Sequence, residues 1–318
     1  MEKPTLTIIL TAANEPQTVV KALQNLLLST RSFLKNDFEL ITVIPDEETS
    51  INTSKYIKSH YPKIRWHNIK DPHKGKPTAL NLAFKEASGE YILLSDGDVY
   101  VSKNCVAEMF SHFQNPKVAA VTGRAKSQDA KDTFWGYISH LLADGAHHKR
   151  MLTMTAHPSG HSLKVVSTTP SFFVLSGYLS LIKNLNYNIP ADCLVDDAYL
   201  SYLIFNKGLQ LNYEPKALVY VKYPGNLKDW LNQKARSVGG YMQLWTYGVV
   251  NEKTKVRSFV KELEYFWFPL KYAQNIKQLF WSLILYFLRL YLWLRIFWEQ
   301  RILKKDFYKT WVRIESTK

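Results

Sequence analysis

Cysteine is scarce in this 318-residue chain, and the glycine-rich loops that cradle nucleotide phosphates are missing. The two cysteines, Cys105 and Cys193, make no disulfide framework and cannot by themselves supply a structural zinc site; they suit a reducing cytoplasm. No G-x-G-x-x-G occurs, so a Rossmann dinucleotide site is unsupported, and "HKGKPT" has neither the spacing nor the GKS or GKT ending of a P-loop. A nucleotide bound here would need a metal for its phosphates. The opening "MEKPTLTIILTAANE" has too short an apolar run for a secretory signal, which predicts a chain on the cytoplasmic side. Internal repeats and low-complexity segments are also lacking.

The chain is long enough for one large domain or two. Its formal charge of +14 could suggest nucleic acid, but the distribution points elsewhere. From Asn251 to Lys318 there are 14 Lys and Arg against 6 Asp and Glu, and five of the nine tryptophans: Trp267, Trp281, Trp293, Trp298 and Trp311. Basic residues interleaved with tryptophan and leucine are the composition of a membrane-interface anchor rather than of an RNA-binding arm.

Strand-like apolar runs occur at Leu6–Leu10, Phe38–Ile44, Ile64–Ile69, Tyr91–Ser95 and Val118–Thr122, with helical spacing at Thr18–Leu28, Asn52–His60, Thr78–Ala87 and Cys105–Phe113. This alternation predicts an α/β fold with a mostly parallel sheet. Beyond it, Asp132–Arg150 reads as an amphipathic helix and "HPSGHSLKVVSTTP" as a polar loop. "PSFFVLSGYLSLIKN" reads as a strand, a glycine turn and a helix start. "DDAYLSYLIFNKG" is a helix opened by aspartates and closed by Gly208, and "KALVYVKYP" is a strand.

The stretch "EYILLSDGDVY" puts Asp96 and Asp98 at the carboxyl end of the fourth strand, where open α/β sheets bind ligands. As a plain turn, Asp-Gly would exploit the positive φ that glycine tolerates. As a site, the two carboxylates would offer oxygen ligands to a hard cation, Mg2+ or Mn2+ before zinc, with phosphates and water completing the shell. "LVDDAYL" adds a second acidic pair, Asp196 and Asp197, which could equally cap a helix. Gln233 and Arg236 fall on one helical face. His147 and His148 are adjacent and point apart on a helix, while "PSG" separates His157 from His161, so no metal role is expected of them.

In order and spacing, "TIILTAANE", "KGKPTALN", "LLSDGD", "LSGYLSLIKN", "VDDAYL" and "QKARS" resemble the family-2 glycosyltransferases of the GT-A fold, nearest the cellulose, chitin and hyaluronan synthase branch. The resemblance runs from about Leu6 to Gly240. It implies a transferase domain at 1–240, with a basic helical tail at 241–318. It also implies that Asp96 and Asp98 hold a nucleotide-sugar diphosphate through a metal, Asp98 more directly, that Asp46 contacts the base, and that Lys76 lies near the nucleotide. Asp197 would be the catalytic base with Asp196 its neighbour, and Gln233, Arg236 and Gly177 would lie by the acceptor and diphosphate.

Two departures qualify the likeness. Ser237 stands where processive synthases carry a tryptophan, and no transmembrane helices precede Leu6, which favours transfer of one or a few sugars to a lipid-linked or saccharide acceptor. Pro45 also replaces an aspartate of many relatives. A processive synthase subunit borrowing a channel from a membrane partner, and a non-catalytic sugar-nucleotide scaffold, remain the alternatives. Finally, Leu279–Trp298 is long enough to cross a bilayer, but Arg289 lies near its centre, and Lys277, Gln278, Ser282, Arg289, Arg295, Glu299 and Gln300 share an arc of roughly 140°. This predicts a helix lying in the interface at the cytoplasmic face of the cell membrane, with a packed helix of the soluble domain as the alternative.

Overall fold

The computed structural model describes residues 3–155, 172–250, 265–301 and 315–317. His157, His161, Trp311 and the segment read as a polar loop lie outside them. The described chain groups into two units. One contains the sheet, from the N-terminus to Ala125 and again up to Val221; the other is helical, from Lys126 and again from Lys222.

In the first unit, β1 (Leu6–Thr11), β2 (Phe38–Ile44), β3 (Arg65–Lys70) and β4 (Tyr91–Asp96) alternate with α1 (Val19–Leu34), α2 (Glu47–His60) and α3 (Lys76–Glu86). β1 and β2 are buried along their whole length, Thr7 and Glu39 included, whereas β3 is an edge strand with mostly exposed residues. The order β3-β2-β1-β4 is parallel throughout, with β1 bonded to both β2 and β4. Strand order reverses between β1 and β4, so their carboxyl ends form a topological switch point. Thr11 and Asp96 are register partners there.

The sheet continues as a mixed one. After the two-residue β5 (Tyr100–Val101) and α4 (Cys105–Phe110) come β6 (Val118–Ser127), β7 (Leu179–Lys183), α6 (Asp196–Asn206) and β8 (Gln210–Val221). The full order is β3-β2-β1-β4-β7-β6-β8-β5, with β7 antiparallel to β4 and β6. The segment read as a helix start is thus a strand. β7 lies between two strands and is buried at four of its five positions, so it lacks the alternation that distinguishes strand from helix in a short apolar run. Residues 172–176, just before the turn at Gly177 and Tyr178, form no strand.

The helical unit contains α5 (Phe134–Thr155), α7 (Leu227–Thr246), α8 (Phe268–Tyr272) and α9 (Ile276–Arg301). Tyr137, Ile138 and Leu141 of α5, Trp230 and Leu231 of α7, and Leu285, Leu292 and Ile296 of α9 make one buried cluster. His147 and His148 lie on α5, and the described residues hold no group of three or more His, Cys, Asp or Glu that could cage a metal.

Candidate active site

At the switch point the last residue of β4 is held by its neighbours. Thr11 Oγ1 donates to Asp96 Oδ1 at 2.7 Å, and Lys76 Nζ reaches both oxygens of Asp96, at 2.7 and 2.8 Å. Lys76 arrives from the first turn of α3, whose N-cap Gly75 has a φ of 93°, a conformation that only glycine adopts without strain. The side chains of Lys76 and Asp96 are 30% and 24% exposed, so the pair is partly screened but not fully solvated.

Antiparallel pairing brings the turn before β7 to the same place, because Ser95 of β4 is opposite Leu179. That turn contains Gly177, and a Cβ on it would come 3.2 Å from Asp197 Oδ2. Asp196 and Asp197 open α6 after Val195, which gives no side-chain cap, so both carboxylates face the positive end of the helix dipole. Ser201, one turn on, donates to Asp197 O at 2.6 Å and accepts from Leu175 N–H at 3.0 Å, tying α6 to the segment before the turn. Asn81 fixes the approach to α6 by donating to Ile189 O at 2.7 Å and accepting from Ile189 N–H at 2.8 Å.

These elements line a solvent-open pocket bordered by Lys76, Asp96, Gly177, Asp196 and Asp197 among others. Burial alone would lower the Lys76 pKa, but the charges of Asp96 and Asp196, the hydrogen bond to Asp96 and the charge of Asp197 hold it above the ordinary lysine value. Four charged residues from three separate stretches of the chain thus share one electrostatic site.

The other expected residues lie outside this pocket. Asp46 ends the loop after β2 and caps α2, accepting from Thr49 N–H at 2.9 Å and from Asn14 N–H at 2.6 Å. Desolvation would raise its pKa, and these hydrogen bonds overcome that and lower it. Asp98 follows two residues after Asp96 and its charge is felt by Tyr100. Gly97 between them does not have positive φ; its hydrogen is needed because a Cβ would meet Glu15 Oε2 at 2.5 Å and Ala12 Cβ at 2.6 Å. Gln233 and Arg236 both lie on α7 in the helical unit, where Gln233 borders a smaller pocket with Trp135, Trp230 and Tyr223. Both cysteines are free and buried, and burial pushes each thiol up to about 12, which leaves them inert.

Some residues in and beside the pocket carry no sequence signal of their own. Thr11, which holds Asp96, is one, and Ser176 and Ser180 of the pocket lining are others; Ser180 Oγ donates to Ser176 O at 2.9 Å, and Ser176 N–H donates to Thr122 Oγ1 at 3.0 Å. They brace the turn that presents Gly177.

The family model described as Glycosyl transferase family 2 matches residues 7–183. The poly-beta-1,6-N-acetyl-D-glucosamine synthase of Staphylococcus aureus (strain COL) is 26% identical over 295 residues, 90% of this chain and 64% of the relative. The protein of that name from Staphylococcus epidermidis is 26% identical over 240 residues, 74% of this chain and 54% of its own. The chain therefore spans less than two thirds of the length of these relatives. Mannosyltransferase PcManGT from Pyrobaculum calidifontis, solved in complex with GDP-Man and Mn2+, shares the fold at a TM-score of 0.57 and 16% identity, covering 98% of this chain and 84% of that one. The family match runs from β1 through β7 and takes in Lys76, Asp96, Asp98 and Gly177, on an α/β scaffold of GT-A type: the chain belongs to glycosyl transferase family 2 and is a glycosyltransferase.

Proposed function

We propose that the protein transfers a sugar, with inversion, from a nucleotide-diphosphate sugar to a lipid-linked or saccharide acceptor at the cytoplasmic face of the membrane. The observation that carries this reading is the convergence of Lys76, Asp96, Asp196 and Asp197 on one pocket at the carboxyl ends of β1 and β4. Asp197 is the base: a hydroxyl attacking the anomeric carbon loses its proton as the new bond forms, and a carboxylate within hydrogen-bond reach takes it. Asp196 stands beside it in the first turn of α6. A base on one face of the sugar and the diphosphate leaving from the other give inversion. Lys76 offsets charge gathering on the leaving diphosphate, and Arg236, with Gln233, serves the diphosphate and acceptor. Asp46 contacts the nucleotide base, and Gly177 leaves room beside Asp197 for the reacting groups.

The donor set suits a hard cation. Asp96 and Asp98 would hold Mg2+ or Mn2+, Asp98 more directly; since no three-residue cage exists among the described residues, diphosphate oxygens and water would complete the shell. Bound there, the ion would supply charge neutralisation for the departing diphosphate. PcManGT, with its GDP-Man and Mn2+, supports this by analogy of fold.

Functionally the transferase occupies 1–240 and the membrane-associating tail 241–318, although α5 and α7 pack with the tail helix α9. A processive synthase, alone or with a partner membrane protein, is the second reading, favoured by the name of the staphylococcal relatives. The test is thermal stabilisation by a panel of nucleotide sugars with and without Mg2+ or Mn2+, since a ligand that binds only the folded state raises its stability. Metal-dependent stabilisation that Asp98→Asn abolishes supports the site, and metal-independent binding unaffected by Asp98→Asn overturns it. Donor turnover separates an enzyme from a scaffold.

A further inference from the structure

The helix α9 is amphipathic with its faces reversed. Its packed side is the one that carries the polar arc, with Lys277 exposed at the arc's edge: Ser282 is fully buried, shares a 2.7 Å hydrogen bond with Tyr137 Oη and donates to Pro269 O at 2.9 Å. Arg295 on that side pairs with Glu299 at 3.0 Å. Leu285, Leu292 and Ile296 on the same side complete the contact with α5 and α7. The opposite arc is bare: Phe280 is 61% exposed and Phe287 72%, and Tyr291, Leu294, Phe297 and Trp298 are exposed too. At 100° per residue these side chains keep within an arc of roughly 120°, along a helix of about 39 Å. So long an exposed apolar stripe marks an interaction surface.

We propose that this stripe lies along the surface of an anionic membrane leaflet, in the plane of the interface and not across the bilayer. The inference rests on the membrane-face reading above and names the partner surface and the orientation. Crossing is opposed by the packing. α9 is fastened to α5, which carries Asp144, Lys149 and Arg150, and to α7, which carries Lys228, Lys234 and Arg236. Taking these helices into the hydrocarbon with α9 would cost on the order of a hundredfold in partition for each charge near the centre. An in-plane helix leaves them outside. Lipid rather than a second copy or another protein suits what borders the stripe: Trp298 toward one end, the exposed Trp267 just before α8, and the exposed lysines Lys271 and Lys277 beside the other end. Indoles and ammonium groups flanking an apolar band match headgroups over acyl chains, with attraction strongest for anionic lipid.

The test uses the full chain with vesicles of phosphatidylcholine alone or mixed with phosphatidylglycerol. The expected result is binding to the anionic vesicles that the double variant Phe287→Glu, Leu294→Glu weakens at least tenfold, while its circular dichroism and its stabilisation by a nucleoside diphosphate with Mn2+ stay as in the parent. Those two controls separate loss of the membrane surface from failure of the transferase site. Single Phe280→Cys, Phe287→Cys and Leu294→Cys variants, labelled with a fluorophore while Cys105 and Cys193 stay buried, should report one shallow depth by lipid-borne quenchers. A graded depth with position 287 at the bilayer centre would establish a crossing and overturn the proposal. So would a dimer that Phe287→Glu dissociates in a protein that never binds vesicles.

Discussion

Lys76 closes on both carboxylate oxygens of Asp96, and Thr11 donates to one of them, so the β4 carboxylate is held between a cation and a hydroxyl. Asp196 and Asp197 also act on this lysine. Replacing Lys76 with methionine keeps most of the stem but removes the positive charge that offsets three nearby carboxylates. The expected outcome is a nucleoside-diphosphate affinity at least tenfold weaker by calorimetry, a loss of about 1.4 kcal/mol or more. Because the folded-state pKa is raised, the contribution of the ion pair is complete below the ordinary lysine value and is lost only as pH rises through the higher folded value. Affinity should therefore show no Lys76 titration between about pH 6 and 9. Unchanged affinity in Lys76→Met would remove the lysine from the donor site.

Gly177 and Asp197 give a second prediction. A methyl group at 177 would stand 3.2 Å from Asp197 Oδ2, so the carboxylate must give by a few tenths of an ångström while the backbone, which lacks positive φ there, is not strained. Gly177→Ala should lower kcat by about tenfold with little change in donor affinity, since small misplacements of a reacting group cost rate rather than binding. Asp197→Asn should lower it by roughly 10²-fold or more. If Asp197→Asn turns over near the parent rate, Asp197 is not the base and Asp196 is the next candidate.

The parallel half of the sheet was legible because strand and helix alternate in the chain, and the position of Asp96 at a strand end follows from that alternation alone. The order of six short motifs did the rest. What stayed hidden depends on tertiary packing. β7 reads like a helix start because a strand buried on both faces loses its period of two. Glycine at 97 is needed for want of space beside Glu15 and Ala12, a contact that the turn-forming reputation of Asp-Gly conceals. Helical spacing placed Gln233 and Arg236 on one face of α7, but nothing in that spacing says that α7 packs with α5 and α9. The wheel of α9 likewise showed two arcs without showing which one is packed.

Asp46 makes a separate, pH-dependent prediction. Its carboxylate caps α2 and accepts from Asn14, and its pKa is lowered. A depressed folded-state value means stability that is present above the ordinary value of 3.8 and lost as pH falls through the folded one. Asp46→Ala should cost about 1 kcal/mol near neutral pH by urea unfolding, Asp46→Asn much less because asparagine also caps. The gap between parent and Asp46→Ala should close in acid. An equal gap at neutral pH and at about pH 3 would show that the charge is not what stabilises this cap.

Two glycines distinguish crowding from backbone strain. At Gly97 a Cβ would lie 2.5 Å from Glu15 Oε2 and 2.6 Å from Ala12 Cβ, and Gly97 N–H donates to Thr11 O at 2.9 Å. Relief must come from the loop after β1 or from the strand end that presents Asp96 and Asp98. At Gly208, just past α6, φ is +77° and nothing lies within 4 Å of an added methyl group, so alanine there meets only the left-handed backbone. Gly208→Ala should lose about 1 to 2 kcal/mol of stability, the cost of that conformation, and leave nucleoside-diphosphate affinity alone. Gly97→Ala should lose about 1 to 3 kcal/mol, as overpacking does, and also weaken metal-dependent donor binding because the two aspartates move with the strain. Denaturant unfolding and calorimetry on both variants decide the matter. If Gly97→Ala binds the donor as the parent does while losing stability like Gly208→Ala, the close approach of Gly97 to the β1 loop is a packing feature with no hold on the site.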